Sequence, residues 1–399
     1  AMKSLRELYK IGRGPSSSHT MGPERASRYF LELVPDAERY KVVLYGSLAL
    51  TGKGHQTDAA VEMTFGERQV EIVFDTETDG LPHENTMDFF AYKDGKEIAK
   101  KRILSVGGGA IRVEGHPETE SPEIYSHTCF REIADYCKSK NIRLSDYVYE
   151  HEDGEIKSFL YEIWQVMKDE IQSGLTTTGV LPGGLGVQRV AQLLYNRRHI
   201  DESPETRENR IVCAYAFAAA EHNADCGTIV TAPTCGACAV LPSVLKYMQE
   251  KKGFSDERII DALAVGGLVG NIVKQNASIS GAECGCQAEI GTACSMAAAA
   301  LAELFEMGIE QIEYAAEMSL EHMLGLTCDP ICGLVQIPCI ERNAVAAMRS
   351  INSLSLANFL TGTRKISFDM VVHTMYETGK DINVRYRETS EGGLAKIVL

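Results

Sequence analysis

The sequence predicts a multidomain chain in which an N-terminal α+β domain precedes a larger all-α domain. Up to about residue 113 the apolar residues come in short alternating runs broken by glycine, and beyond about residue 125 they recur at i, i+3 and i+4. Between these halves lies EGHPETESPEI (114–124), polar and carrying two prolines, which reads as a linker. The predicted domains are therefore 1–120 and 121–399. A length of 399 residues suits two domains, and 44% apolar with 24% charged residues suits a chain that buries a core.

Taken in order, PERASRYFLELV has helical spacing. YKVVLYGSLAL reads as a strand, and AAVEMTFGERQVEIVFD as a hairpin turning at Gly66. FFAYKDGKEIAKKRIL contains Asp94-Gly95, the pair that a tight type I′ hairpin favours because both central residues take positive φ. SVGGGAIRVEG has three glycines but no following GK[ST], so a turn or bulge is expected there rather than a phosphate cradle. In the second half, SFLYEIWQVMKDEIQSGL, NRIVCAYAFAAAEHN, ERIIDALAVGGLVGNIVKQ, ACSMAAAALAELFEMG and IEQIEYAAEMSLEHMLGL all read as helices. Their alanine and glycine content predicts a close-packed core of small residues.

A net charge of −15 argues against nucleic acid or an anionic membrane as partner. No secretory signal is visible, and the most apolar run, from Ala262, is too short and glycine-broken to span a bilayer. A cytoplasmic location is expected. Twelve cysteines are many for a reducing compartment, where disulfides are rare. Cys129, Cys137 and Cys213 stand alone in helix-like contexts and read as packing. The other nine fall between Cys226 and Cys339. Zinc would want two close pairs, but the chain has one C-x-x-C, Cys235 to Cys238, and no thioredoxin-like context for it. A ferredoxin run of four cysteines is absent too. A cluster whose ligands come from separate helix ends remains, and spacing alone does not establish it.

Several long segments resemble the iron–sulfur L-serine dehydratases, or L-serine ammonia-lyases. They are IGRGPSSSHTMGP, LYGSLALTGKGHQTD, TAPTCGACAVLP, NASISGAECGCQAEIGTACSMAAA, LGLTCDPICGLVQIPCIERNA and ETGKDINVRYRETSEGGLA. They run in order from about Ile11 to Ala395. The resemblance implies a substrate-binding-type α/β domain, a helical catalytic domain and a [4Fe–4S] cluster held by Cys286, Cys328 and Cys339. Cys284 and Cys332 are then neighbours of the cluster, with Cys332 a packing residue. Three thiolates would leave one iron open to act as a Lewis acid on the serine hydroxyl. Loss of the α-proton to a base then gives aminoacrylate, and from it pyruvate and ammonia.

Histidine is the first choice for that base. His116, His151 and His199 read as solvated, and His222, His322 and His373 as structural. His19 and His55 lie in polar loops that the resemblance places at the active site, and His83 is a weaker candidate. Lys53 could hold the His55 pKa down. PSSSHT offers Ser16, Ser17, Ser18 and Thr20, and a helix start suited to a carboxylate; a plain capped N-terminus reads equally well. Lys53, Thr234 and Asn276, in the matching segments, are further substrate-binding candidates. L-serine as ligand and a homodimer complete the expectation. A pyridoxal-phosphate enzyme would have to use Lys274 and Gly107–Gly109, both poor matches. Other open readings are an amino-acid sensor and a lyase acting on L-cysteine.

Overall fold

The computed structural model describes residues 1–116, 121–360 and 362–399. The chain opens with two short strands, β1 (Met2–Lys3) and β2 (Ile11–Arg13), then α1 (Gly22–Leu33) and β3 (Arg39–Tyr45). Next come α2 (Gly46–Thr51), α3 (Thr57–Phe65), β4 (Val70–Asp75), β5 (Thr86–Lys93), β6 (Lys96–Gly107) and β7 (Ala110–Val113). The sheet order is β4-β3-β5-β6-β7, with β3 and β4 parallel and the other pairs antiparallel. Phe30, Tyr40, Val42, Leu44, Phe65 and Phe89 are buried between this sheet and its helices.

Two sequence readings are corrected here. The strand expected to run through Leu50 ends at Tyr45, because Gly46 turns with φ +54° where a side chain would strike the Glu84 carbonyl. The expected hairpin at Gly66 is instead helix α3 followed by β4. Thr57, Val61 and Phe65 lie one helical turn apart and are all buried, so their spacing serves a helix. Gly66, at φ +63°, stops that helix by donating its N–H to Glu62. The Asp94-Gly95 turn, with φ of +52° and +69°, joins β5 and β6 as predicted. The three-glycine segment is indeed an irregular turn, with a register shift between Ser105 and Gly107.

After the sheet come β8 (Glu123–Tyr125), α4 (Phe130–Lys140), α5 (Leu144–His151), α6 (Ile156–Thr176), α7 (Ala191–Asn196) and α8 (Pro204–Ala224). Strand β9 (Thr228–Val230), α9 (Val240–Lys252), α10 (Asp256–Asn276), α11 (Gly281–Cys284) and α12 (Thr292–Leu304) follow. The chain closes with α13 (Ile309–Glu321), α14 (Cys339–Phe359) and α15 (Phe368–Asp381). All five helical segments read from the sequence are helices. Every residue of α12 is buried, and Gly266 on α10 lies against the Met296 carbonyl, where a β-carbon would be crowded at 3.1 Å. Residues 117–120 of the expected linker lie outside the described residues.

The first thirteen residues pack with the helices rather than with the sheet. Leu5, Leu8 and Tyr9 belong to the helical core, β1 pairs with β8, and β2 pairs with β9. The Tyr9 hydroxyl donates to the Leu263 carbonyl at 2.8 Å, and Gly267 leaves the room that Tyr9 and Leu5 occupy. The helical half therefore carries three apolar anchors from the opposite end of the chain, so a fragment beginning near residue 122 lacks part of its core. Among the described residues, no helix is long and apolar enough to cross a membrane.

Candidate active site

The SSSHT segment forms a single π-type turn, Ser17–Met21, feeding α1. Ser16 caps it by accepting from the His19 N–H at 3.1 Å, and Ser17 Oγ accepts from the Cys235 N–H at 2.9 Å. The second bond ties the turn to the TAPTCGAC loop of the helical half. A matching π-type turn, Gln287–Gly291, follows Cys286 and feeds α12. Such turns widen a helix start and recur at functional sites.

Both turns face one cavity. Ser16, Ser17, Ser18, His55 and Thr234 line it, together with Cys286, Cys328 and Cys339. Gly107 and Gly108 of the irregular turn also reach it, a placement the sequence did not suggest. The capping role and the cavity role of PSSSHT thus coexist.

Thr20 and His19 lie behind this wall. Thr20 Oγ1 donates to the His55 carbonyl at 3.1 Å. His19 has both ring nitrogens engaged, Nδ1 with Ser18 Oγ at 2.7 Å and Nε2 with Ser47 Oγ at 2.9 Å. His55 differs. Its Nδ1 lies 3.0 Å from the Thr51 carbonyl, which can only accept, so the proton sits on Nδ1. Its Nε2 is buried with no partner among the described residues. The two rings are 4.5 Å apart. Burial lowers the pKa of His55 to about 4, and burial plus the adjacent His55 puts His19 well below its usual range.

Lys53 and Asn276 stand away from the cavity. Lys53 is exposed over the Phe74 ring, and the Asn276 amide donates to the carbonyls of Thr128 and Ile272 at the end of α10. His83 accepts from the Asn85 N–H outside the cavity wall. Three further histidine readings are corrected. His151 is packed against Tyr147, ring centroids 4.2 Å apart, rather than solvated, and His322 and His373 are exposed rather than structural.

All twelve cysteines are free. Cys137 is buried as expected, while Cys129 and Cys213 are half-buried. Burial raises the three cavity thiols, Cys286 to about 11 and the other two well beyond their usual range. Arg342 offsets part of this by its charge beside Cys286 and Cys339. Cys284 packs against Gly379 and does not line the cavity. Cys332 is exposed at φ +56°, so the packing role expected for it does not hold.

Four charged residues of the site escaped sequence reasoning, though each lies inside a segment already quoted: Glu289, Asp329, Arg342 and Glu388. The available signal was a charge set among glycine, cysteine and proline. Asp329 accepts from Thr327 Oγ1 at 2.6 Å and from the Leu394 N–H at 2.7 Å. A side chain at Gly393 would collide with the Asp329 carboxylate, which accounts for glycine there. The C-terminal segment also straps Cys328: the Cys328 N–H donates to Tyr386 and the Glu388 N–H to the Cys328 carbonyl, both at 2.8 Å. Burial raises the carboxyls of Glu289 and Glu388, and Glu289 and Glu84 raise Glu388 further.

The neutral histidines have a consequence for stability. His55 stays unprotonated in the fold down to about pH 4, whereas in the unfolded chain it takes up a proton near its ordinary 6.5. Its contribution is therefore present above 6.5 and is lost as pH falls toward 4. Unfolding of the metal-free protein by denaturant should show stability lower by about 2 kcal/mol at pH 5 than at pH 7 from this group. His55→Gln should flatten that slope, and an equal slope in the variant would refute the assignment.

Comparison with known families fits this arrangement. Residues 4–71 match the family model of the serine dehydratase beta chain, and residues 75–395 that of the serine dehydratase alpha chain. The junction falls within β4, inside the sheet. The chain is 40% identical to L-serine dehydratase 1 of Escherichia coli (strain K12) over 450 aligned positions, covering 99% of each chain. It is 39% identical to the L-serine dehydratase of Streptomyces coelicolor, covering 98% of each, and 37% identical to that of Helicobacter pylori, again 98% of each. The family match and these relatives make the chain a lyase acting on L-serine, with a fused two-part architecture. The chain belongs to the serine dehydratase family, with its beta and alpha parts in one polypeptide.

Proposed function

We propose that this protein is an L-serine ammonia-lyase that converts L-serine to pyruvate and ammonia, with a [4Fe–4S] cluster held by Cys286, Cys328 and Cys339. One observation carries the reading: three free thiols from two separate segments, Cys286 and Cys328 buried and Cys339 half-buried, line one cavity together with the Ser16–Ser18 turn and with His55, whose Nε2 has no partner among the described residues. The donor set fits a cluster better than one ion. Among the described residues, no three Cys, His, Asp or Glu side chains are grouped as a single metal ion would need. Gly281 keeps space beside the thiols, since a β-carbon there would lie 2.9 Å from Cys328 Sγ and 2.8 Å from the Glu289 carboxylate. Bound there, the cluster would supply an iron with an open position, a Lewis acid suited to a hydroxyl leaving group.

The protein's own groups do the rest. The hydroxyls of the Ser16–Ser18 turn, at a helix start, are suited to the substrate carboxylate. His55 Nε2 takes the α-proton, since Nδ1–H is fixed on Thr51 and the unpartnered Nε2 belongs to a residue that lines the cavity. His19, bonded at both nitrogens, holds the Ser18 and Ser47 hydroxyls in place. Loss of that proton and of hydroxide, which leaves as water, gives aminoacrylate; its imine tautomer hydrolyses to pyruvate and ammonia. No net electron transfer is required. Twelve free thiols suit a reducing cytoplasm, and a homodimer belongs to the same reading.

The test is an anaerobic assay of pyruvate release after iron and sulfide reconstitution. L-serine should be consumed. D-serine should not, because a base fixed on one side of the substrate reaches the α-proton of one enantiomer only. No pyruvate from L-serine in a fully reconstituted protein would overturn the reading.

A further inference from the structure

The cavity wall carries three carboxyl side chains, which differ in what acts on them. Asp329 is held by Thr327 Oγ1 and the Leu394 N–H. Glu289 makes no direct hydrogen bond or ion pair among the described residues, but the positive charge of Arg342 acts on it. Glu388 accepts no hydrogen bond and no ion pair among the described residues, and the charged groups that act on it, Glu289 and Glu84, are both acidic. It is nonetheless firmly placed. Its N–H is bonded to the Cys328 carbonyl, and its backbone sits at φ +60°, a left-handed conformation that residues with a β-carbon seldom adopt. Strain of this kind persists where the surroundings hold it, and it collects at ligand-binding positions. A carboxyl on which no cation acts, in a cavity that also carries a turn of hydroxyls suited to a carboxylate, is complementary to a zwitterion.

We propose that Glu388 binds the α-ammonium group of the amino-acid substrate and thereby selects amino acids over hydroxy acids of the same shape. The inference rests on the reading of this cavity as a serine site and adds a specificity-determining residue to it. Asp329 is set aside because its partners already satisfy it, and Glu289 because the positive charge of Arg342 already acts on it. The C-terminal segment that carries Glu388 thus has two tasks, framing Cys328 through the backbone and recognising substrate through one side chain. This explains why the strap must kink: the left-handed residue bonds Cys328 through its N–H while its side chain faces the cavity.

The test uses the reconstituted holoenzyme and two probes, L-serine and 3-hydroxypropionate, which keeps the carboxylate and the hydroxyl but lacks the ammonium. Glu388→Gln should raise KM for L-serine about thirtyfold or more, as expected when one partner of a buried charge pair is removed. The inhibition constant of 3-hydroxypropionate should change by less than about threefold, because that compound never used the charge. The visible absorbance of the holoenzyme should be unchanged, and Glu388→Asp should keep part of the preference. Equal rises for both compounds would mean that Glu388 only shapes the pocket, and would overturn the proposal. So would an unchanged KM, or loss of absorbance. If Glu388→Gln does not accumulate in soluble form, the ratio of the two constants in Glu388→Asp decides: it should fall between wild type and unity, and an unaltered ratio refutes the idea. If the wild-type chain releases no pyruvate, the functional reading fails separately, and calorimetric binding of the two compounds yields the same ratio.

Discussion

A Cys328→Ser protein should fold, remain colourless after reconstitution and release no pyruvate from L-serine. Cys286→Ser and Cys339→Ser should behave alike. The argument starts from burial. Each of these thiols is enclosed, and each is pushed up in pKa by that enclosure, so none is stable as a bare thiolate. A metal centre that takes all three removes this penalty, and the loss of one ligand leaves too few to hold it. Serine in place of cysteine changes one atom, so the strap bonds from Tyr386 and Glu388, which use only the Cys328 backbone, survive. The controls lie close by. Cys332→Ala and Cys284→Ala should keep the broad visible absorbance, since one side chain is exposed and the other packs against Gly379, outside the cavity wall. Full iron and sulfide content in Cys328→Ser would refute the ligand assignment.

The helical half was legible because its small residues repeat at a helical period over many turns, and that pattern has one structural solution. Residues 57–75 were not. Val61 and Phe65 suit a strand by type and a helix by spacing, and Gly66 can end either element. The N-terminal arm was invisible for another reason: Leu5, Leu8 and Tyr9 fit any core, and only the gap left by Gly267 shows which one receives them. At the site, resemblance supplied the cysteines, but residue type could not separate His19 from His55. That distinction depends on Ser47 and Thr51, each hydrogen-bonded to one ring in space. Glu388 was missed because its position comes from a bond to Cys328, sixty positions earlier, and from a backbone kink that no local pattern announces.

His55→Ala should lower kcat for L-serine by about a hundredfold or more, the scale of a general base, with the absorbance of the holoenzyme unchanged. The ring is fixed on its far side by the Thr51 carbonyl, so a single protonation state is presented, with the proton on Nδ1 and the lone pair on Nε2. Burial keeps that lone pair free at neutral pH, since protonation would bring a charge into an enclosed site. The acid limb of kcat/KM should accordingly lie well below the ordinary histidine value of about 6.5. His19→Ala is the instructive contrast. Its nitrogens are taken by Ser18 and Ser47, so its removal loosens the turn that faces the substrate carboxylate. It should therefore raise KM more than it lowers kcat. If His19→Ala lost turnover while His55→Ala kept it, the proton would have to leave through His19, and the hydrogen bonds that now occupy both its nitrogens would have to break in the working enzyme.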